Sequence, residues 1–151
     1  MKKIVSFVLL ICIIGTLLPL ECLAVEENEK IVYVFEDGSY LTESVYEYGT
    51  RASGTKSGSK EKTYYDSDGS AKWKAVLSGT FSYTGTSATC TSASMNVTIY
   101  DSACYVVSKS ATKSGNTATG NATVGEKVLG VTVSKIPVTL TLSCDANGNL
   151  S

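Results

Sequence analysis

The sequence predicts an all-β protein: an antiparallel β-sandwich, immunoglobulin-like in outline, with six or seven strands, preceded by a signal helix and an acidic leader. Three observations lead there. Apolar and polar residues alternate over a dozen positions from Trp73, which is the period of a half-buried strand. The alternation returns near the end of the chain, where Ile136, Val138, Leu140, Leu142 and Cys144 point one way and Thr139, Thr141 and Ser143 the other. Between these runs, clusters of Gly, Ser, Asn and Asp fall at the intervals expected of hairpin turns.

Residues 1–24 read as a signal peptide. Met1-Lys2-Lys3 is cationic, Ile4 to Leu20 is mostly apolar, and Cys22-Leu23-Ala24 places small residues before a cut at Val25. Pro19 and Glu21 shorten the apolar run below the roughly 20 residues that span a bilayer. Cys12 follows Ile11 and Cys22 follows Glu21. Neither has the small preceding residue that a lipid-modified cysteine requires. The expected product is secreted and extracellular or associated with the cell envelope, with no membrane span after cleavage.

Residues 25–54 read as an acidic leader and linker, ahead of a β-sandwich domain over 55–151. The leader holds Ile31 to Phe35, a run of high β-propensity, and an Asp37-Gly38 turn. Its alternative reading is the first strand or two of the sandwich. Residues 25–50 carry seven acids against Lys30, whereas 51–151 carry ten bases against six acids. Such a split predicts attraction between an acidic segment and a mildly basic domain. Arg51, the only arginine, stands at the junction. A protease cutting there would release a leader that masks the basic face.

Within the domain, Lys62-Thr63-Tyr64-Tyr65 reads as a strand and Asp66-Ser67-Asp68-Gly69 as the hairpin turn that follows it. The strand from Trp73 then buries Trp73, Ala75, Leu77 and Phe81, with Gly79 marking a bulge or bend. Met95, Val97 and Ile99 alternate in the next strand; Asp101-Ser102 turns the chain into Tyr105-Val106-Val107. Ser114-Gly115-Asn116 turns it again before a strand at Ala122 to Val128, which Gly130 breaks. Pro137 lies on the polar face of the last strand, which points to a sheet edge.

The chemistry available is narrow. Histidine is absent, which removes the commonest general base and metal ligand and with them a cysteine–histidine nucleophile. The acids beyond the leader are Glu61, Asp66, Asp68, Asp101, Glu126 and Asp145, mostly in expected turns. No enzyme, catalytic residue, cofactor or metal is expected. Asp66 to Gly69 lacks the alternating oxygen ligands and closing glutamate of a calcium loop, since Ser70, Ala71, Lys72 and Trp73 follow. The bases are scattered among Ser and Thr, unlike a nucleic-acid-binding patch. Trp73 and Phe81 belong to the core face, which leaves Tyr64, Tyr65 and Tyr100 as the aromatic residues most available to a sugar.

Several phrases carry a resemblance. They are Thr55 to Lys60, Tyr64 to Gly69, Trp73, Gly79 to Tyr83, Ala88-Thr89-Cys90, Ser110 to Asn116 and Leu140 to Cys144, with Asp37 to Thr42 and Thr50-Arg51 before them. In these the chain resembles a group of short, uncharacterised exported β-rich proteins of Gram-positive anaerobic bacteria. The resemblance covers most of the chain after residue 24 and implies export and an all-β domain, but no activity. The spacing of Cys90 and Cys144 resembles that group's, which implies a structural disulfide between them. A loop of that length would contribute roughly 4 kcal/mol in the chain-entropy model. Cys90 is out of phase with Met95, Val97 and Ile99 unless a bulge intervenes. Pairs with Cys104, and three reduced cysteines, are the alternatives.

The expected function is that of a non-enzymatic extracellular or envelope-associated binding protein, with anionic cell-wall polymers or glycans as partners. The alternative is a secreted effector or antimicrobial-type protein acting on other cells.

Overall fold

The computed structural model describes residues 25–26, 29–48 and 54–151; the expected signal segment and Arg51 lie outside them. The described elements are strands: β1 (Val25–Glu26), β2 (Lys30–Val34), β3 (Tyr40–Tyr48), β4 (Thr55–Tyr65), β5 (Ala71–Tyr83), β6 (Ala88–Ile99), β7 (Cys104–Ser114), β8 (Thr117–Val128) and β9 (Val131–Ser143). Seven of them, β3 to β9, are long. They form two antiparallel sheets, one ordered β1-β3-β4-β5-β6 with β2 also paired to β3, the other β7-β8-β9. By their registers β1 and β2 lie end to end along one edge of β3.

Short turns join successive strands, so each of β3 to β6 pairs with its sequence neighbour, as does each of β7 to β9. Asp66, at the start of the β4–β5 turn, accepts from the backbone of Asp68 and Ser70, and Gly69 takes a φ of +81°, which glycine adopts without steric cost. Only the 100–103 turn carries the chain from the larger sheet to the smaller. The strand order is therefore a meander in each sheet. The immunoglobulin-like outline holds for the packed antiparallel sheets and not for the order of their strands.

The core lies between the sheets. Trp73, Ala75, Leu77 and Phe81 of β5 are buried with Met95 of β6, Ala118, Ala122 and Val124 of β8, and Val138, Leu140 and Leu142 of β9. Gly120 sits where β8 crosses this layer; a Cβ there would come within 2.7 Å of the Met95 sulfur and 3.1 Å of Leu77. Only glycine allows that approach.

The phase of Cys90 has a physical answer. The β5–β6 register shifts between Thr80 and Phe81, pairing Thr80 with Ser92 and Phe81 with Cys90. Thr91 is thus the extra residue of a bulge, and Cys90 returns to the core beside Phe81.

The leader requires correction. Residues 40–48 are a full strand of the larger sheet, paired with β4 from Tyr40↔Tyr65 to Tyr48↔Ser57, and Leu41, Thr42 and Ser44 are buried. The attraction expected between acidic and basic segments operates, but as cross-strand pairing. Lys60 and Lys62 of β4 reach Glu43 of β3 at 3.4 and 3.5 Å, and Lys56 pairs with Glu47. A strand so placed cannot be removed as a mask without opening the core.

At the end of the sandwich that holds the β4–β5 turn, Lys72 bridges Asp66 (3.1 Å) and Asp101 (2.7 Å), tying that turn to the β6–β7 turn. Backbone donation from Ser70, with Lys72, holds the Asp66 carboxyl below its usual range; Lys72, with the Ala103 N–H, does the same for Asp101.

Two outcomes follow. Leu41→Ala lowers stability by about 2–3 kcal/mol in urea denaturation; an unchanged midpoint would mean that β3 is a detachable leader after all. For pH, the folded carboxyls of Asp66 and Asp101 titrate below their unfolded values near 3.9. Their contribution is therefore present above that pH and lost as pH falls through the folded values. Urea midpoints should fall as pH drops below about 4, and Asp101→Asn should flatten the dependence.

Candidate functional site

The two sheets differ in width. The larger is five strand positions wide and the smaller three. β9 packs over β4 and β5, and β3 with β2 projects past its edge. In register, Glu43, Val45 and Glu47 of β3 and Lys56, Lys60 and Lys62 of β4 share the face that β5 turns to the core through Ala75, Leu77 and Phe81. Charged residues occur on a core face here because the second sheet stops short of them. The result is a groove between the overhanging β2–β3 edge and the β9 edge.

The groove has two neighbouring compartments. The polar one, about 480 Å³, is lined by Lys30, Glu43, Val45 and Lys60, with Leu150 and Ser151 at its far wall. The apolar one, about 370 Å³, is lined by Val32, Tyr33, Phe35 and Leu41 on one side and Ile136 and Pro137 on the other, with Lys62 between. The Lys62–Glu43 ion pair joins the two. Lys60 and Lys62 both pair with Glu43, and Lys30, opposite Glu43 in the β2–β3 register, lines the same compartment. Leu150 packs over Gly58, and Ser143 and Ser151 exchange backbone hydrogen bonds of 2.9 and 3.0 Å, which hold the carboxy-terminal residues in the groove wall.

The lysines divide between the two sheets. Of the lysines beyond residue 54, Lys56, Lys60, Lys62, Lys72 and Lys74 are in ion pairs within the larger sheet or its turns. Lys109, Lys113, Lys127 and Lys135 all lie on β7–β9, where the one carboxylate is Glu126. The expected basic character therefore belongs chiefly to the smaller sheet, where Lys109 and Lys113 of β7 reach over to Asn96 and Thr91 of β6 and Lys135 lies on β9, the strand that walls the groove.

Most other aromatic side chains are packed or hydrogen-bonded within the protein. Trp73 and Phe81 are in the core. Tyr64 turns inward and stacks on Trp73 at 5.5 Å. Tyr65 faces the outer side of the sheet, stacked on Tyr40 at 5.0 Å, with its hydroxyl donating to Glu29. Tyr46 donates to Glu61, and Tyr48 bonds Ser59. Tyr100, 53% exposed, stands in the β6–β7 turn away from the others. Serine and threonine populate the outer face of the smaller sheet in register, for example Thr112, Thr119 and Thr141 across β7, β8 and β9.

The cysteines differ from expectation. Cys90, Cys104 and Cys144 are free thiols, all buried. The Cys90 and Cys144 backbones do converge on one turn, donating to the carbonyls of Gly115 (2.7 Å) and Asn116 (3.0 Å). Their thiols point elsewhere, to the carbonyls of Ser92 and Asp145, so the expected Cys90–Cys144 disulfide is not formed. Burial pushes all three thiols above their usual pKa. Among the described residues no cluster of three or more potential metal-ligating His, Cys, Asp or Glu residues occurs, and no helix is long and apolar enough to cross a membrane.

Comparison with protein-family models, curated proteins and solved structures finds no match to this chain. The groove residues Lys30, Tyr33, Glu43, Lys60, Lys62 and Pro137 were not singled out as a site by sequence reasoning. The one available signal was the even-numbered Lys56, Lys60 and Lys62 in period two, which becomes informative only once the register with β5 is known.

The thiol assignment has a direct check. Residues 25–151, denatured without reductant, should titrate three thiols; in the native state they should react slowly at pH 8, because buried thiols are protonated and shielded. A denatured count of one would establish a disulfide.

Proposed function

We propose that this chain is a non-enzymatic extracellular or envelope-associated binding domain that takes an anionic cell-wall polymer along the groove beside the smaller sheet. The observation that carries the reading is the set of three lysines, Lys30, Lys60 and Lys62, around one glutamate on a recessed face. Recession matters physically. An anion held between two walls is less screened than one on an open surface, and low-dielectric walls focus the potential. Lys135 of β9, next in sequence to the groove-lining Ile136 and Pro137, adds a cation along the groove wall, which favours a long ligand over a point anion. The lack of histidine and the engagement of Glu43, Glu47, Glu61, Asp66 and Asp101 in ion pairs support a binding role over a catalytic one.

The second reading, a secreted effector acting on other cells, draws on a different feature. The β8–β9 hairpin tip presents Val128, Leu129 and Val131 to solvent, with Leu129 fully exposed at a φ of +51°, where Asn or Gly is the ordinary choice.

Sedimentation with washed Gram-positive cell walls tests the first reading. The chain should pellet at about 10 mM salt and be released towards 1 M, as the screening length falls from roughly 30 to 3 Å. Lys60→Glu should weaken pelleting at low salt at least severalfold. Salt-insensitive pelleting, or no effect of Lys60→Glu, would sink it. Killing of other cells that survives Lys60→Glu would favour the effector.

A further inference from the structure

We infer that the apolar compartment of the groove is a sugar subsite, so that the polymer bound is an anionic glycan. The inference rests on the groove's being a polyanion site and narrows its ligand.

Tyr33 stands on β2 with 56% of its surface exposed, yet it is not loosely held. Its ring meets Phe35 edge-on at 4.7 Å, Phe35 meets Tyr64 at 5.6 Å, and Tyr64 stacks on the buried Trp73 at 5.5 Å. A chain of ring contacts thus anchors an exposed tyrosine in the core, and little rotamer freedom remains to be lost on binding. Across the cleft, Pro137 and Ile136 of β9 form a second apolar wall. The cleft volume of about 370 Å³ is in the range of small-molecule sites, about 300–1,000 Å³. A pyranose ring offers an apolar C–H face of the kind that lies on the electron-rich face of an aromatic ring, and leaves its hydroxyls at the rim.

The neighbouring cations set the rest of the ligand. Lys62 stands in the apolar compartment, and Lys30 and Lys60 line the next. A sugar-free polyanion would satisfy the lysines and leave Tyr33 and Pro137 in water. An acidic peptide extended along β9 would look for a backbone ladder, as strand addition requires. That edge does not offer one: Pro137 has no N–H, and the Thr139 carbonyl already accepts from Lys62 at 3.2 Å. A ligand alternating ring faces with carboxylate or phosphodiester charge matches both compartments.

The test measures binding of the secreted chain to four polymers at equal charge concentration: polygalacturonate, glucosylated polyglycerol phosphate, polyphosphate and poly-glutamate. The first two separate carboxylate from phosphodiester as the source of charge. At least one glycan should bind about tenfold tighter than polyphosphate or poly-glutamate. Tyr33→Ala should weaken that glycan about three- to tenfold, the range of an aromatic contact, and leave polyphosphate within about twofold. Tyr33→Phe should retain the affinity, and unchanged melting of both variants would confirm that they fold. Lys60→Gln should weaken every polymer. Tyr33→Ala without effect on the glycan, or poly-glutamate or polyphosphate binding as tightly, overturns the sugar subsite alone. A wild-type chain that binds none of the four removes the polyanion reading and the subsite with it.

Discussion

Three strands cannot cover five. Strands in a sheet lie about 4.8 Å apart, so the β7–β9 sheet reaches over β4 to β6 and leaves the far side of the larger sheet uncovered. That constraint organises the molecule. Where the sheets overlap, β5, β8 and β9 bury the core, and close approach is helped by Gly120. At the margin of that overlap, on β4, and beyond it, on β3, the same face of the same sheet carries Lys60, Lys62 and Glu43. A buried, unpaired charge would cost several kcal/mol. These side chains, about one-fifth exposed, keep access to water and to one another.

Charge sorting along the chain acts in the same place. Acids gather in β3 and bases in β4, so antiparallel pairing sets Glu43 beside Lys60 and Lys62, and Glu47 beside Lys56. Each cross-strand pair contributes only a few tenths to about 1 kcal/mol. Their stronger effect is on register, since a one-residue slip would turn every charge to the opposite face. The pairing also leaves Glu43 shared between two lysines, so that cluster carries a net positive charge.

Open edges are a hazard in any sandwich, and here several are blunted. Pro137 and Lys62 interrupt the β9 edge. Lys113 donates to the Thr91 carbonyl at the β6 bulge. The β2 edge carries exposed Ile31, Val32, Tyr33 and Val34, but its pairing with β3 is broken by a register shift between Ile31 and Tyr33, which disturbs the regular spacing a docking strand would need. The devices that protect β9 are also those that shape the groove wall.

The sequence by itself determined the fold class, the inward set of β5 and β9, and the turns at 66–69, 101–102 and 115–116, because period-two alternation and turn chemistry are local. Pro137 at an edge was legible for the same reason: a missing N–H excludes a central ladder position. Three matters were decided only by the tertiary structure. Residues 40–48 became a core strand because nine cross-strand pairs and the burial of Leu41 outweigh the acidity that suggested a leader. The cysteine thiols were set by side-chain direction, which loop length does not specify. The groove was out of reach of the sequence altogether. Lys30, Tyr33, Glu43, Lys60 and Pro137 come from four strands, and what brings them to one recess is the unequal width of two sheets, a property of the packed whole.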